Sequence, residues 1–163
     1  MPACRSAWRK CRFAVHQHQT ASGARRPYTF CPINNSWGPD NRTVGIRIIE
    51  GSDTAVRAEK RDSGADANPY ILLAAEIAAG LDGIEQKMQP TQMCTGNAYE
   101  EADASPIPMD ISEAIALMRG SDFLKDVLGE HLHEIYCQQS EREVGFIANQ
   151  VTPVETQRYI TNF

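Results

Sequence analysis

Arg57-Ala58-Glu59-Lys60-Arg61 sets two guanidiniums on either side of one carboxylate, at alternate positions. In an extended strand, alternate side chains share a face. Arg57, Glu59 and Arg61 then project together, while Val56 and Ala58 take the side a core would cover. Guanidiniums recognise phosphate and carboxylate oxygens in pairs, and a carboxylate oxygen is a natural ligand of a hard divalent cation. Such a face suits a phosphate, a carboxylate substrate and a metal ion held close together. It equally describes a solvated strand carrying paired charges, which is a common structural arrangement.

A second alternating run stands just upstream and bears on that choice. Asn41-Arg42-Thr43-Val44-Gly45-Ile46-Arg47-Ile48-Ile49 puts Val44, Ile46 and Ile48 on one side and Thr43, Gly45 and Arg47 on the other. The link Glu50-Gly51-Ser52-Asp53 is short, polar and contains glycine, which predicts an antiparallel hairpin over roughly residues 43–61. The hairpin brings Arg47 to the same sheet face as Arg57, Glu59 and Arg61.

After the hairpin the pattern turns helical. Asn68 is a good N-cap and Pro69 suits the first helical position, so a helix is expected to run from there toward Lys87. Its small residues allow close packing against the back of the sheet. Residues 89–109 contain Pro90, Pro106 and Pro108 and read as a loop. Asp110-x-x-Glu113 and Thr152-Pro153-Val154-Glu155 are capping-box patterns that open two further helices. Between them Leu132, Ile135, Tyr136, Phe146 and Ile147 mark another amphipathic helix. The fold class is therefore α+β: antiparallel strands ending in the hairpin, then C-terminal helices.

A length of 163 residues suits one domain, and no apolar run approaches membrane-spanning length. Residues 1–26 carry six basic side chains and no acid, while residues 27–163 hold ten basic and 21 acidic ones, a net −11. That asymmetry marks a boundary near Arg26, with residues 1–25 expected to be disordered. The acidic remainder argues against nucleic acid as a partner. Cys4, Cys11, Cys31, Cys94 and Cys137 show no metal spacing and read as reduced thiols of a cytoplasmic protein. His16-x-His18 and His131-x-His133 lack nearby ligands in order and read as surface or helix-face histidines.

Several of these segments, in this order, resemble the C-terminal catalytic region of glutamine synthetases. They are Trp37-Gly38-Pro39-Asp40-Asn41-Arg42-Thr43, Ile46-Arg47-Ile48, Arg57-Ala58-Glu59-Lys60-Arg61, Ala65-Asp66-Ala67-Asn68-Pro69-Tyr70 and Ala78-Ala79-Gly80-Leu81-Asp82-Gly83-Ile84. Similarity continues more loosely through Gly96-Asn97-Ala98-Tyr99 and Pro108-Met109-Asp110 to Glu155 and Tyr159, covering residues 26–163. The resemblance implies ATP-dependent amide formation, in which glutamate is activated as an acyl phosphate and attacked by ammonia or another amine. It implies Arg42 as a catalytic and ATP-contacting arginine, with Arg47 and Arg57 also on the nucleotide phosphates. It implies Glu59 as a ligand of Mg²⁺ or Mn²⁺, and Arg61 as the holder of the substrate carboxylate. Phosphoryl transfer needs charge neutralisation and alignment, which Arg and metal clamps supply. Full-length relatives form ring-shaped homo-oligomers whose sites lie between subunits.

The family's Asn-Ser-Tyr-basic-Arg element is replaced by Thr20-Ala21-Ser22-Gly23-Ala24. A truncated or frame-shifted reading frame accounts for that, and an Arg-rich transit peptide is the other reading. Tyr99 falls where some bacterial members carry a nucleotide-modified tyrosine. Glu100-Glu101-Ala102-Asp103 departs from the family sequence there, which favours an ordinary loop tyrosine and leaves a polyamine or other amine open as acceptor. The chain reads as a C-terminal part of a catalytic domain, the alternative being a non-catalytic remnant that keeps fold or oligomer contacts. A core face normally covered by the rest of the domain is expected to make it associate. A single Glu holds a divalent ion weakly, so the 163-residue chain alone is expected to show little or no ligase activity. Glutamine formation by the purified chain is the result that refutes this.

Overall fold

The alternating runs on either side of the polar link do form a hairpin. A computed structural model of the chain describes residues 26–64, 67–100 and 104–162. Strand β2 (Ile46–Ile49) pairs antiparallel with β3 (Arg57–Lys60), matching Ile46 to Lys60, Arg47 to Glu59, Ile48 to Ala58 and Ile49 to Arg57. The pairing extends one step further, the Arg61 amide donating to the Gly45 carbonyl at 2.9 Å. A third strand, β1 (Trp37–Pro39), completes a sheet of order β1-β2-β3.

Here the structure departs from the expected antiparallel arrangement, because β1 runs parallel to β2, with Trp37 opposite Ile46. Parallel neighbours usually need a long crossover, whereas Asp40-Asn41-Arg42-Thr43-Val44-Gly45 is the whole connection. Asn41 holds it together. Its Oδ1 accepts from the Thr43 amide at 2.9 Å and the Thr43 hydroxyl at 2.7 Å, and its Nδ2 donates to the Gly96 carbonyl at 2.8 Å. Asp40 takes a left-handed φ of 39°, which turns the chain back. Two glycines let backbones meet in this region: a Cβ at Gly38 would stand 2.4 Å from the Cys94 carbonyl oxygen, and one at Gly45 2.7 Å from that of Asn34.

Among the described residues five helices follow: α1 (Pro69–Glu85), α2 (Ile111–Arg119), α3 (Asp122–Leu128), α4 (Glu130–Ala148) and α5 (Pro153–Asn162). The capping signals hold. Asn68 Oδ1 accepts from the Tyr70 and Ile71 amides with Pro69 in the first turn, and Asp110 accepts from the Ser112 and Glu113 amides. Thr152 and Glu155 cap reciprocally, the Thr152 amide donating to Glu155 Oε2 at 2.7 Å and the Glu155 amide to the Thr152 hydroxyl at 3.2 Å. Helix α3 had no separate reading in the sequence. Gly120 stops α2, and Ser121 restarts the chain by accepting from the Leu124 amide.

The core is helical. Ile71 and Ala75 of α1 cluster with Met118, Leu124, Tyr136 and Cys137, and Leu72, Phe123 and Leu128 pack against them. Helix α1 therefore uses its small face against other helices instead of covering the back of the sheet. Val56 and Ala58, assigned to a core-facing side, are exposed, and so is the ridge of Tyr70, Leu73, Ile77 and Ile84 along α1. The buried face of α4 is also displaced from the expected one. It presents His133, Tyr136, Cys137 and Ser140 inward, while Leu132 and Ile135 are each 45% exposed. His133 is consequently no surface histidine: its Nε2 donates to the Met118 carbonyl at 2.8 Å, inside the bundle. A smaller cluster of Val44, Cys94 and Ala98 fastens the loop of residues 89–109 to the sheet. Residues 1–25, with Cys4, Cys11, His16 and His18, lie outside the described residues.

Leu124 is 1% exposed at the centre of the larger cluster, whereas Leu73 on the open ridge is 57% exposed. Leu124→Ala is expected to cost about 3 kcal/mol and Leu73→Ala less than about 0.5, as read from urea melts of the two variants.

Candidate functional site

The hairpin register builds the site. Because Arg47 and Glu59 are directly paired across β2 and β3, their side chains meet on one face. Glu59 Oε2 lies 3.0 Å from Arg47 Nε. Glu59 Oε1 accepts from Arg57 Nε at 3.0 Å and Arg57 Nη2 at 2.8 Å. One carboxylate is thus held between two guanidiniums. A second carboxylate, Asp40 Oδ1, stands 3.9 Å from Arg47 Nε on the turn after β1. Exposure grades outward: the side chain of Arg47 is 17% exposed, Glu59 29% and Arg57 56%.

Arg61 shares the alternation but not the clamp. Its Nη1 donates to the carbonyls of Arg42 and, at 3.0 Å, Val44, and its Nη2 donates to that of Phe30 at 2.8 Å. Three of the five guanidinium donors are so occupied, which ties the loop after β1 and the segment before it to the end of β3. Arg42 itself is exposed, and among the described residues its guanidinium makes no ion pair. The structure therefore brings Arg47, Arg57 and Glu59 together, places Arg61 beside them in a carbonyl cage, and leaves Arg42 on the adjoining loop.

Glu59 and Asp40 balance Arg47 and Arg57, and Arg61 with Arg42 alongside leaves the surplus positive, so this face favours a phosphate or carboxylate over a bare cation. An ionised carboxylate offers about four acceptor directions; Arg57 takes two on Glu59 Oε1, while Oε2 faces Arg47 as an ion pair without a hydrogen bond. Oε2 thus keeps acceptor capacity, enough for a contact to a metal that arrives with phosphate oxygens as further ligands. Among the described residues, no group of three or more His, Cys, Asp or Glu side chains is arranged to hold a metal ion. The chemistry of the donor set thus fits a metal–polyphosphate complex in preference to a free ion.

Beneath the clamp lies a second charged group that sequence reasoning passed over. Lys60 stands 3.4 Å from Asp62 Oδ1 and ion-pairs with Glu76 of α1. Its signal was present as two charged residues, Lys60 and Asp62, on the strand face assigned to a core. Also missed were the buried asparagines that brace the hairpin: Asn34 accepts from the Ser36 amide and hydroxyl, and Asn35 accepts from the Ser105 amide at 2.8 Å. Tyr99 packs its ring on Tyr28 at 5.2 Å and donates its hydroxyl to the Cys31 carbonyl at 3.1 Å. Burial raises its phenol above the ordinary value, and a hydrogen bond from the backbone of Phe30 opposes that.

A short sheet displaying an arginine-clamped carboxylate, beside a helical core, defines an α+β domain. The profile of the glutamine synthetase catalytic domain matches residues 13–159, and the chain belongs to that family. It is 37% identical over 129 residues to a glutamate–isopropylamine ligase of a Pseudomonas species, covering 78% of this chain and 28% of that protein. It is 36% identical over 133 residues to a gamma-glutamylethanolamide synthetase of Streptomyces coelicolor, covering 82% of this chain and 28% of that protein. A solved GmaS/ADP complex superposes with a TM-score of 0.76 at 25% identity, over 95% of this chain and 37% of that one. The chain therefore spans less than a third of the length of these two curated relatives.

Glu76 gives the region a pH signature. Its carboxyl is raised above the ordinary value by desolvation, with the Lys60 charge and hydrogen bond opposing and Asp62 adding to the rise. A carboxyl raised on folding binds its proton more tightly in the native state, so stability is greatest below the unfolded value and declines as pH rises through the folded one. Wild-type melting temperature is expected to fall over that interval relative to Glu76→Gln, as measured by parallel thermal melts from pH 4 to pH 8.

Proposed function

We propose that this chain supplies the C-terminal part of an ATP-dependent glutamate–amine ligase site working through a gamma-glutamyl phosphate. The observation that carries the reading is Glu59 held between Arg47 and Arg57 on one strand face, in a chain of the glutamine synthetase family. Arg47 and Arg57 would take phosphate oxygens of ATP, the more exposed Arg57 swinging outward at little cost. Arg42, on the adjoining loop, would reach the transferring phosphoryl group. Arg61 would offer the glutamate carboxylate its two donors not spent on carbonyls. Glu59 would hold Mg²⁺ or Mn²⁺, which when bound neutralises charge on the phosphates. Fixed positive groups stabilise the developing charge of phosphoryl transfer without reorganising, and this usually dominates such catalysis.

An alkylamine is the favoured acceptor, because the isopropylamine and ethanolamide relatives named above are both named for one; ammonia is the alternative. The remaining ligands and the rest of the pocket would come from the other part of a glutamine-synthetase-type domain, assembled in a cytoplasmic ring of like subunits. No helix among the described residues is long and apolar enough to cross a membrane. A non-catalytic role in fold or oligomer contacts is favoured by one observation, the commitment of Arg61 to three backbone carbonyls.

Calorimetric titration with inorganic tripolyphosphate, with and without Mg²⁺, separates the two. Arg47→Ala should weaken binding about tenfold, the loss of one charge-assisted contact. Glu59→Gln should abolish the Mg²⁺ enhancement while leaving metal-free binding intact. Indifference of the wild-type chain to tripolyphosphate would support the non-catalytic role. Where an assembled, active enzyme is obtained, ADP release with ammonia against isopropylamine assigns the acceptor.

A further inference from the structure

Lys60 and Asp62 alternate with Glu59 and Arg61, so they leave the end of β3 on the side opposite the clamp. There the Lys60 ammonium sits between Asp62 Oδ1, at 3.4 Å, and Glu76 on the second turn of α1. The three side chains are 16%, 3% and 28% exposed respectively. We propose that Lys60, Asp62 and Glu76 form a positioning strut that ties β3 to α1 and thereby fixes Glu59 in the clamp and Arg61 beside it.

Among the described residues β3 is an edge strand of four residues, paired on one side alone. Its back-face side chains Val56 and Ala58 are exposed, so apolar packing does not seat it on the helix. A directional charged link takes the place of that packing. Partly burying an ammonium and two carboxylates is costly unless each finds its partner, so the strut has one well-defined geometry. Lys60 lies between Glu59 and Arg61 in the chain. Any roll or slip of the strand about Lys60 would move both neighbours, and a slip of one residue would turn them to the other face. The clamp's arginines are anchored elsewhere: Arg47 on the inner strand β2, and Arg57 at the far end of β3. What the strut sets is therefore the placement of Glu59 against them. The function just proposed enters only in naming what the clamp binds; the strut's geometry is independent of it.

The test reads the Nε–H signals of Arg47 and Arg57 by proton–nitrogen NMR of the ¹⁵N-labelled chain, since both groups face Glu59. Lys60→Met is expected to shift or broaden both signals and to weaken tripolyphosphate binding about fivefold, while Lys60→Arg restores both. Arg119→Met, which breaks the exposed network with Glu134 and Glu141, serves as the control and should leave the signals unmoved. Unmoved signals in a folded Lys60→Met protein, or equal shifts in the Arg119 control, overturn the proposal. If Lys60→Met does not fold, Glu76→Gln gives the decision by the same two readouts. Shifted signals in a chain whose wild type ignores tripolyphosphate would uphold the strut and reject the ligand reading instead.

Discussion

Register across one short ladder governs the chemistry of this chain. With Arg47 opposite Glu59, an anion falls between two cations, and the face gains charged groups with fixed directions. Strand side chains repeat every two residues, so no partial error is available: the pairing is right or every group faces away. Much of the surrounding structure serves to hold that register. Arg61 gathers three carbonyls from two preceding segments onto the end of β3. Asn41 staples the turn leading into β2, and Asn34 and Asn35 brace the segment before β1.

The same alternation that fixes the clamp made it readable. Arg57, Glu59 and Arg47 could be placed on one face from spacing alone, because period two leaves little freedom once a hairpin link is recognised. Capping residues were equally legible, since an Asn, Asp or Thr at a helix start satisfies local amides whatever the tertiary context. What could not be read was which faces meet. Helix α4 carries apolar residues on more than one side, and Tyr136 with His133 won the core because Met118 and Leu124 lie there. Helix α1 has a small face and a ridge of large residues, and the small face made the intramolecular contacts. The parallel entry of β1 was hidden for another reason. It depends on asparagine-stapled turn geometry and on glycine contacts with distant carbonyls, neither of which has a periodic signature.

Arg61 shows how one residue type serves two ends. A guanidinium has five donors in a plane, so it can lock three backbone carbonyls and still present an edge to another ligand. In the proposed site that economy would place structural and binding duties on a single side chain, with alternation grouping Arg61 with the clamp and contacts grouping it with the scaffold. The exposed ridge of α1 and the open back of β3 belong to a chain that matches 28% of the length of the relatives above. Apolar stripes of this kind are surfaces seeking cover.

Helix α5 has a complete reciprocal cap at its start, yet the side chains described along it, from Pro153 to Thr161, are all solvent-exposed. Capping lowers the cost of beginning a helix but does not supply the tertiary burial that keeps ten residues wound, since isolated helices of that length are marginal in water. Its turns will therefore unwind and reform on their own. On warming, ellipticity should begin to slope away well before the bundle melts, and the amides of Gln157 and Ile160 should trade deuterium fast beside slow ones at Tyr136 and Cys137.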